Sequence, residues 1–335
     1  MSQPHIVVLG AGLVGGFLGG ALAAGGANVT LLGRARFVEP LGRGMALSDL
    51  YGLQVRVPPE RFRCATHPVC LAEADLVLVC VKANATSSAA SDLARFTRPG
   101  TAVISFQNGV RNAELLEAFA PHCKVIAGMV PFNIMQPAPS HWHRGTEGSL
   151  YAAPHPSVEQ LRPYLTACNV ELTIRPDMHA VLWSKVLMNL NNAINALSGV
   201  PLRQELRDRQ HRLVLAACIS EGLAAVRASG VEPVPLSNLR PSDLPRILRL
   251  PNLLYSFLAM RKLRIDEHAR SSMAEDLAQN RPTEIDELNG AVVRAGAERG
   301  MPTPVNQRVI ELVRAAEAGD PRRYTGAQLR ALTGV

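Results

Sequence analysis

Lys185, Asn189 and Asn192 stand at i, i+4 and i+7 of a periodic stretch, MHAVLWSKVLMNLNNAINALSG. The stretch predicts one helix from about Met178 to Ser198, with Gly199 as its C′ stop. The three side chains share one face, and Val186, Leu190, Ala193, Ile194 and Leu197 form the apolar stripe opposite. Arginine is the default cation of this chain, at 31 Arg against four Lys (Lys82, Lys124, Lys185 and Lys262). A lysine ammonium can release a proton and a guanidinium cannot, so a lysine on a polar helix face points to acid–base work. Asn is a poor helix former, and four of them between Asn189 and Asn195 need a reason beyond solvation. Fixed amides that orient a ligand in a water-filled cleft supply one; a tolerated polar face is the plainer alternative.

A second constellation lies near the N-terminus, in HIVVLGAGLVGGFLGGALAAGGANVTLLGRAR, residues 5–36. An apolar run, Gly10-Ala11-Gly12-Leu13-Val14-Gly15, a small-residue helical stretch and a second apolar run follow one another. Strand, G-x-G-x-x-G, helix, strand is the context that makes the motif a dinucleotide-binding fingerprint. Gly10 permits the tight turn, Gly12 lets backbone approach a pyrophosphate, and Gly15 lets the helix pack on the strand. The free N–H groups of the first helical turn, at Leu13, Val14 and Gly15, then meet the phosphates.

The turn after the second strand selects the cofactor. An acid there binds the ribose 2′-hydroxyl of NAD, and an arginine accommodates the 2′-phosphate of NADP. Arg34 and Arg36 occupy the turn and Glu39 comes only later, so NADPH is expected.

These residues require two kinds of scaffold. Asp75–Val81 (DLVLVCV) and Ala102–Phe106 have the length and continuity of strands buried on both faces of a parallel sheet. Lys82 and Asn108, the latter in Gln107-Asn108-Gly109-Val110, fall at the carboxyl ends of those strands, where α/β sheets bind ligands. Helices are expected over 85–96 and up to about Ala120, a hairpin near 53–57, and irregular antiparallel strands over 131–156. From Asp177 onward the periodicity is almost wholly helical. The fold expected is α/β: a Rossmann-type doubly wound sheet over 1–176, then an all-helical domain over 177–335. Ser271–Asn280 reads as a helix, and Arg281–Glu287 starts another with Pro282 in its first turn. Glu284, Asp286 and Glu287 would complement that helix's dipole.

The bounds of the whole chain agree. Its 335 residues give room for two cores. The net charge of +7 is spread rather than clustered, and aromatic residues are only 4%, so a nucleic-acid partner is not expected. No apolar run is long enough to span a membrane. The six cysteines form no C-x-x-C pair, as in a reduced, cytoplasmic chain. The alternating His141-Trp142-His143 is expected in a strand, and no metal site is expected.

With these residues in view the chain resembles the ketopantoate reductase family (2-dehydropantoate 2-reductases). The landmarks are GAGLVG at 10–15, VK at 81–82, QNGV at 107–110, W-x-K-x-x-x-N at Trp183–Asn189, and S-S-M then T-E-I-D at Ser271–Met273 and Thr283–Asp286. The resemblance implies NADPH-dependent reduction of a 2-oxo acid, 2-dehydropantoate to D-pantoate, in pantothenate and coenzyme A synthesis, with catalysis in a cleft between the two domains. It implies that Lys185 and Glu284 are catalytic, and that Asn189 lies near the substrate. Ser272 holds the substrate carboxylate, Asn108 stands at the boundary of cofactor and substrate, and Lys82 is on the cofactor side. Some members carry a second Asn eight residues after the lysine; here that position is Ala193, and Asn192 or Asn195 is the substitute. Segment 236–268 is longer than the family suggests and carries an apolar run, expected to border the cleft or a homodimer interface, or to be an ordinary core helix. Two other readings stay open: a reductase of another 2-oxo acid, and a non-catalytic NADP(H) sensor.

Overall fold

Side chains of the first strand alternate between two separate cores. Ile6 and Val8 enter one; Val7 and Leu9 enter the other. A strand buried this way needs cover on both faces, which crossover helices provide. The computed structural model describes residues 3–236, 239–257, 269–320 and 323–335. The chain divides into two compact units, Met1–Met178 and His179–Val335.

The strands of the first unit are β1 (His5–Leu9), β2 (Asn28–Leu32), β3 (Met45–Asp49), β4 (Gln54–Val57), β5 (Phe62–Ala65), β6 (Leu76–Val79), β7 (Ala102–Ser105), β8 (Lys124–Met129), β9 (Ile134–Ala138), β10 (His141–Arg144), β11 (Leu150–Ala152) and β12 (Leu172–Ile174). The main sheet has the order β12-β11-β8-β7-β6-β1-β2-β5. It is parallel from β5 across to β8, and only the β8–β11 pair is antiparallel. The order turns back at β1, which has β2 on one side and β6 on the other. That is the switch point at which such sheets bind ligands. Helix Leu13–Ala24 packs in one core, and helices Thr86–Phe96 and Asn112–Phe119 in the other.

A second sheet, of order β4-β3-β10-β9, was not foreseen beyond the hairpin near 53–57 and the irregular antiparallel strands over 131–156. β10 runs parallel to β3, placing Trp142 opposite Leu47. A buried ion pair joins β3 to β10: the Arg144 guanidinium lies 2.6 Å from Asp49 Oδ2, and both side chains are almost fully covered. Desolvation pushes the Asp49 carboxyl up, but the N–H of Leu53, the guanidinium and the N–H of Tyr51 outweigh it and hold its pKa low. His141 and His143 each lie 2.8 Å from Ser48 Oγ, so both imidazoles serve the sheet.

The described part of the second unit is helical throughout. The expected single helix 178–198 is two, Met178–Asn189 and Asn191–Ser198. Leu190 between them has φ −57° and ψ −23°, nearer 3₁₀ than α geometry, though its N–H still bonds Val186 O at 3.1 Å. The apolar stripe is buried as expected, and Gly199 closes the second helix in the left-handed region at φ 66°. The long helix Arg209–Ala228 crosses closely at Gly222, where a Cβ would stand 2.5 Å from Leu187.

Segment 236–268 contains helices Leu244–Leu248 and Asn252–Tyr255; residues 237, 238 and 258–268 of it lie outside the described residues. Buried Arg212 pins the described portion. Its guanidinium donates to Leu248 O, Leu250 O and Asn252 Oδ1 and lies 4.0 Å from the Tyr255 ring. No helix among the described residues is long and apolar enough to cross a membrane.

Candidate active site

Gly10 has φ +107°, and a Cβ there would come within 2.7 Å of Val81 N. Only glycine lets the turn after β1 cross the turn after β6. At Gly15 a Cβ would stand 2.0 Å from Gly10 O, so this glycine closes helix on strand. Gly12 differs: a Cβ there would meet nothing within 4 Å. Protein packing does not require glycine at this position, so close approach by a ligand is what the open space fits. Gly16 N–H donates to Gly12 O at 2.8 Å, the first bond of the helix. The N–H groups of Leu13, Val14 and Gly15 therefore have no intrahelical acceptor. Gly10 and Ala11 both donate to Leu32 O, which ties the turn to the end of β2. This cradle and its donors fit the pyrophosphate of a dinucleotide.

Trp142 supports the turn. It is buried, its Nε1 donates to Gly12 O at 3.2 Å, and its ring lies where a Cβ on Gly16 would be 2.4 Å away. Arg34 follows β2, in extended conformation (φ −63°, ψ 147°) at the start of the short helix Ala35–Val38. Arg34 and Arg36 are both exposed, and the Arg36 guanidinium lies 4.8 Å from the Phe37 ring.

Lys82 and Asn108 emerge at the carboxyl ends of β6 and β7, beside the glycine turn. Lys82 is exposed and Asn108 half-buried. A buried network joins their loops. Gln107 Nε2 donates to Val81 O at 3.1 Å and to Thr86 Oγ1 at 2.8 Å. Thr86 Oγ1 in turn lies 2.8 Å from Asn112 Oδ1, and Asn112 Nδ2 donates to Asn108 O at 2.6 Å. Gly109, at φ +103°, makes the turn between them.

In the second unit Lys185 and Asn189 lie one turn apart on helix Met178–Asn189, both half-buried. Desolvation lowers the Lys185 pKa from 10.5 to about 8. Two buried residues of the helix beside Lys185 hold it in place: Trp183 Nε1 donates to His179 Nε2, and Ser184 Oγ accepts from Val234 N–H at 2.8 Å. Ser271 caps helix Ser272–Ala278 through Ala274 N–H and donates its hydroxyl to Asn192 O at 3.0 Å. Ser272, the next residue, is exposed, and Asn192 Nδ2 lies 3.5 Å from its Oγ. Asn195 is fully buried and engaged by Val200 O, Glu205 and Ser271 N–H, so it offers nothing to a ligand.

The helix expected to begin at Pro282 begins at Asn289. Thr283 N–H is taken by Glu317 Oε1 at 2.7 Å and Ile285 N–H by Thr283 Oγ1, while Ile285 and Leu288 are buried. These contacts hold 283–288 as turns. Asp286 and Glu287 pair with Arg314 and Arg294 rather than capping a helix. Glu284 is half-buried in this turn.

The profile of the family described as "Ketopantoate reductase PanE/ApbA" matches residues 6–157, and that of its C-terminal domain matches residues 177–317. The chain belongs to the ketopantoate reductase family. A 2-dehydropantoate 2-reductase of Halobacterium salinarum is 31% identical over 93% of this chain and 99% of its own. A PanE/ApbA family ketopantoate reductase of Ralstonia eutropha, solved as a crystal structure, is 29% identical with a TM-score of 0.80, covering 94% of this chain and 98% of its own. The ternary structure of a D-mandelate dehydrogenase with NADH and anilino(oxo)acetate is 19% identical with a TM-score of 0.73, over 94% and 98%, a likeness of fold alone.

Within this ketopantoate reductase fold, the glycine turn, Arg34, Lys82 and Asn108 come from loops at the carboxyl ends of β1, β2, β6 and β7 in the first unit's main sheet. Asn192 and Ser272 meet in the second unit, whereas Lys185, Asn189 and Glu284 are distributed along its helices and turns. Sequence reasoning missed Trp142, the Gln107–Thr86–Asn112 network and Arg212. The only signal for the first was a tryptophan alternating with histidines; the second had the Gln107-Asn108 pair, and the third had none.

Proposed function

We propose that this chain reduces 2-dehydropantoate to D-pantoate with NADPH. The relatives' shared activity supports the reaction, and the state of Lys185 carries the assignment of roles. When bound, the nicotinamide supplies the hydride. The turn Gly10–Gly15 holds the pyrophosphate, with Lys82 and Asn108 beside it, and Arg34 receives the 2′-phosphate. Hydride arriving at C2 of a 2-oxo acid leaves negative charge on the carbonyl oxygen. Lys185 protonates that oxygen: its pKa of about 8 keeps the ammonium mostly charged at neutral pH yet willing to give up a proton. Asn189 orients the reacting carbonyl. Ser272 and Asn192 bind the substrate carboxylate through hydroxyl and amide hydrogens. Glu284 serves the same reaction, as acceptor for a substrate hydroxyl or as ion partner of Lys185.

The test is the purified protein with 2-dehydropantoate and NADPH. D-pantoate and NADP⁺ in equal amounts are expected. Absence of turnover with 2-dehydropantoate, alongside turnover of another 2-oxo acid, would move the assignment to a different substrate of the same chemistry.

A further inference from the structure

Glu205 is a carboxyl with 1% exposure that no step above uses. It lies on helix Leu202–Arg207, and its Oε2 accepts from Asn195 Nδ2 at 2.6 Å. Asn191 gives it a second amide hydrogen bond. Asn195 spends its other pole on Ser271: its Oδ1 accepts Ser271 N–H at 2.9 Å, while Ser271 Oγ reaches Asn192 O. One buried chain of bonds thus runs from Glu205 through Asn195 to the residue that precedes Ser272 and clamps the backbone of Asn192.

We propose that the Glu205–Asn195 pair is the positioning element that sets Ser272 and Asn192 for the substrate carboxylate. The proposal rests on the assignment of those two residues to that carboxylate. The pair touches no substrate and acts through Ser271. A leucine at 195 would fill the space but leave Ser271 N–H unpartnered and the Glu205 carboxyl with Asn191 alone. The subsite would lose its alignment while the fold kept its apolar packing.

The charge state of Glu205 gives an independent readout. Burial raises its pKa to about 8 against the opposing amide bonds from Asn195 and Asn191. Among the described residues the Tyr255 phenol also feels this carboxyl; burial pushes it up to about 12, with Arg212 over its ring. Below about pH 8 the pair is neutral; above it a buried negative charge appears two hydrogen bonds from Ser271 and opposes an anionic substrate.

The full chain is assayed as Asn195→Leu, Glu205→Gln and Ser272→Ala, with NADPH binding titrated separately. In Asn195→Leu the KM for the 2-oxo acid is expected to rise about tenfold or more, with saturating kcat within about threefold and the NADPH Kd unchanged. A merely structural role would lower kcat through the active fraction and leave KM alone. Glu205→Gln keeps an acceptor for Asn195 but cannot ionise. The wild-type KM is expected to climb as pH passes 8, and to climb clearly less in Glu205→Gln, where only Lys185 still loses its charge over that range, while the pH dependence of kcat is the same in both. This arm decides alone should Asn195→Leu fail to fold. An unchanged KM in folded Asn195→Leu, or the same alkaline rise of KM in Glu205→Gln as in wild type, overturns the proposal. If Ser272→Ala raises KM in those same cases, the carboxylate assignment survives without its brace. If Ser272→Ala leaves KM unchanged, the assignment and the brace fall together.

Discussion

Asn192 Nδ2 and Ser272 Oγ lie 3.5 Å apart although 80 residues separate them in sequence. The approach is fixed from below, where Ser271 donates its hydroxyl to Asn192 O and caps the helix that Ser272 begins. A carboxylate set against this pair would find one hydroxyl and one amide hydrogen, neither of which titrates in the working range.

Ser272→Ala removes one of those donors. Hydrogen bonds to charged groups are worth about 1.5–3 kcal/mol, so KM for the 2-oxo acid should rise about tenfold to a hundredfold. NADPH affinity, measured by direct titration, should not move. A loss of cofactor binding of similar size would reassign Ser272 to the cofactor side.

Arg34→Ala should raise KM for NADPH and leave NADH nearly unaffected. A guanidinium–phosphate contact is worth about 1.5–3 kcal/mol, roughly tenfold to over a hundredfold. Steady-state kinetics with both cofactors give the answer, and equal use of both by the unmodified protein would remove the basis for the assignment.

Gly12 and Gly16 separate a ligand's demand for glycine from the protein's own. At Gly12 an added methyl meets only open space, so Gly12→Ala should keep its Tm and lose at least about tenfold in NADPH affinity, a steric loss at the pyrophosphate. At Gly16 the methyl would stand 2.4 Å from the Trp142 ring. Overpacking of that kind costs about 1–3 kcal/mol, and Gly16→Ala should melt several degrees lower. Thermal melts and cofactor titration on the two variants check both halves. The opposite pattern would mean that Gly12 is a structural glycine.

Much of this was legible in the sequence where local physics decides. Continuous apolar runs marked β1, β6 and β7, and Gly10 and Gly15 had mechanical roles that a positive φ at the first and close contacts at both now display. Periodicity found the Lys185 face and the buried stripe from Val186 to Leu197. Long-range pairing was not legible. β3 and β10 join across nearly a hundred residues in parallel register, so nothing local announces that Trp142 will rest on Gly16. The turn around Glu284 escaped for a related reason. Pro282 and the acids after it have the composition of a helix start, but the Ile285 N–H goes to Thr283 Oγ1 instead of a carbonyl one turn back, and Glu317 ties down Thr283 N–H from another helix. Asn195 and Asn192 look equivalent on a polar stretch; only the partners Glu205, Ser271 and Ser272 tell a brace from a ligand contact.

The most direct measurement is the pH profile of kcat in wild type and Lys185→Ala. With the ammonium at a pKa of about 8, kcat should fall as pH rises through that value, because the deprotonated amine has no proton to give. Lys185→Ala should lower kcat by about 10²–10⁴ and erase the basic limb, with NADPH affinity within a few-fold; Lys185→Arg should restore little, since arginine holds its proton. A near-normal kcat in Lys185→Ala, with the basic limb still in place, would contradict the account and leave another group as the proton donor.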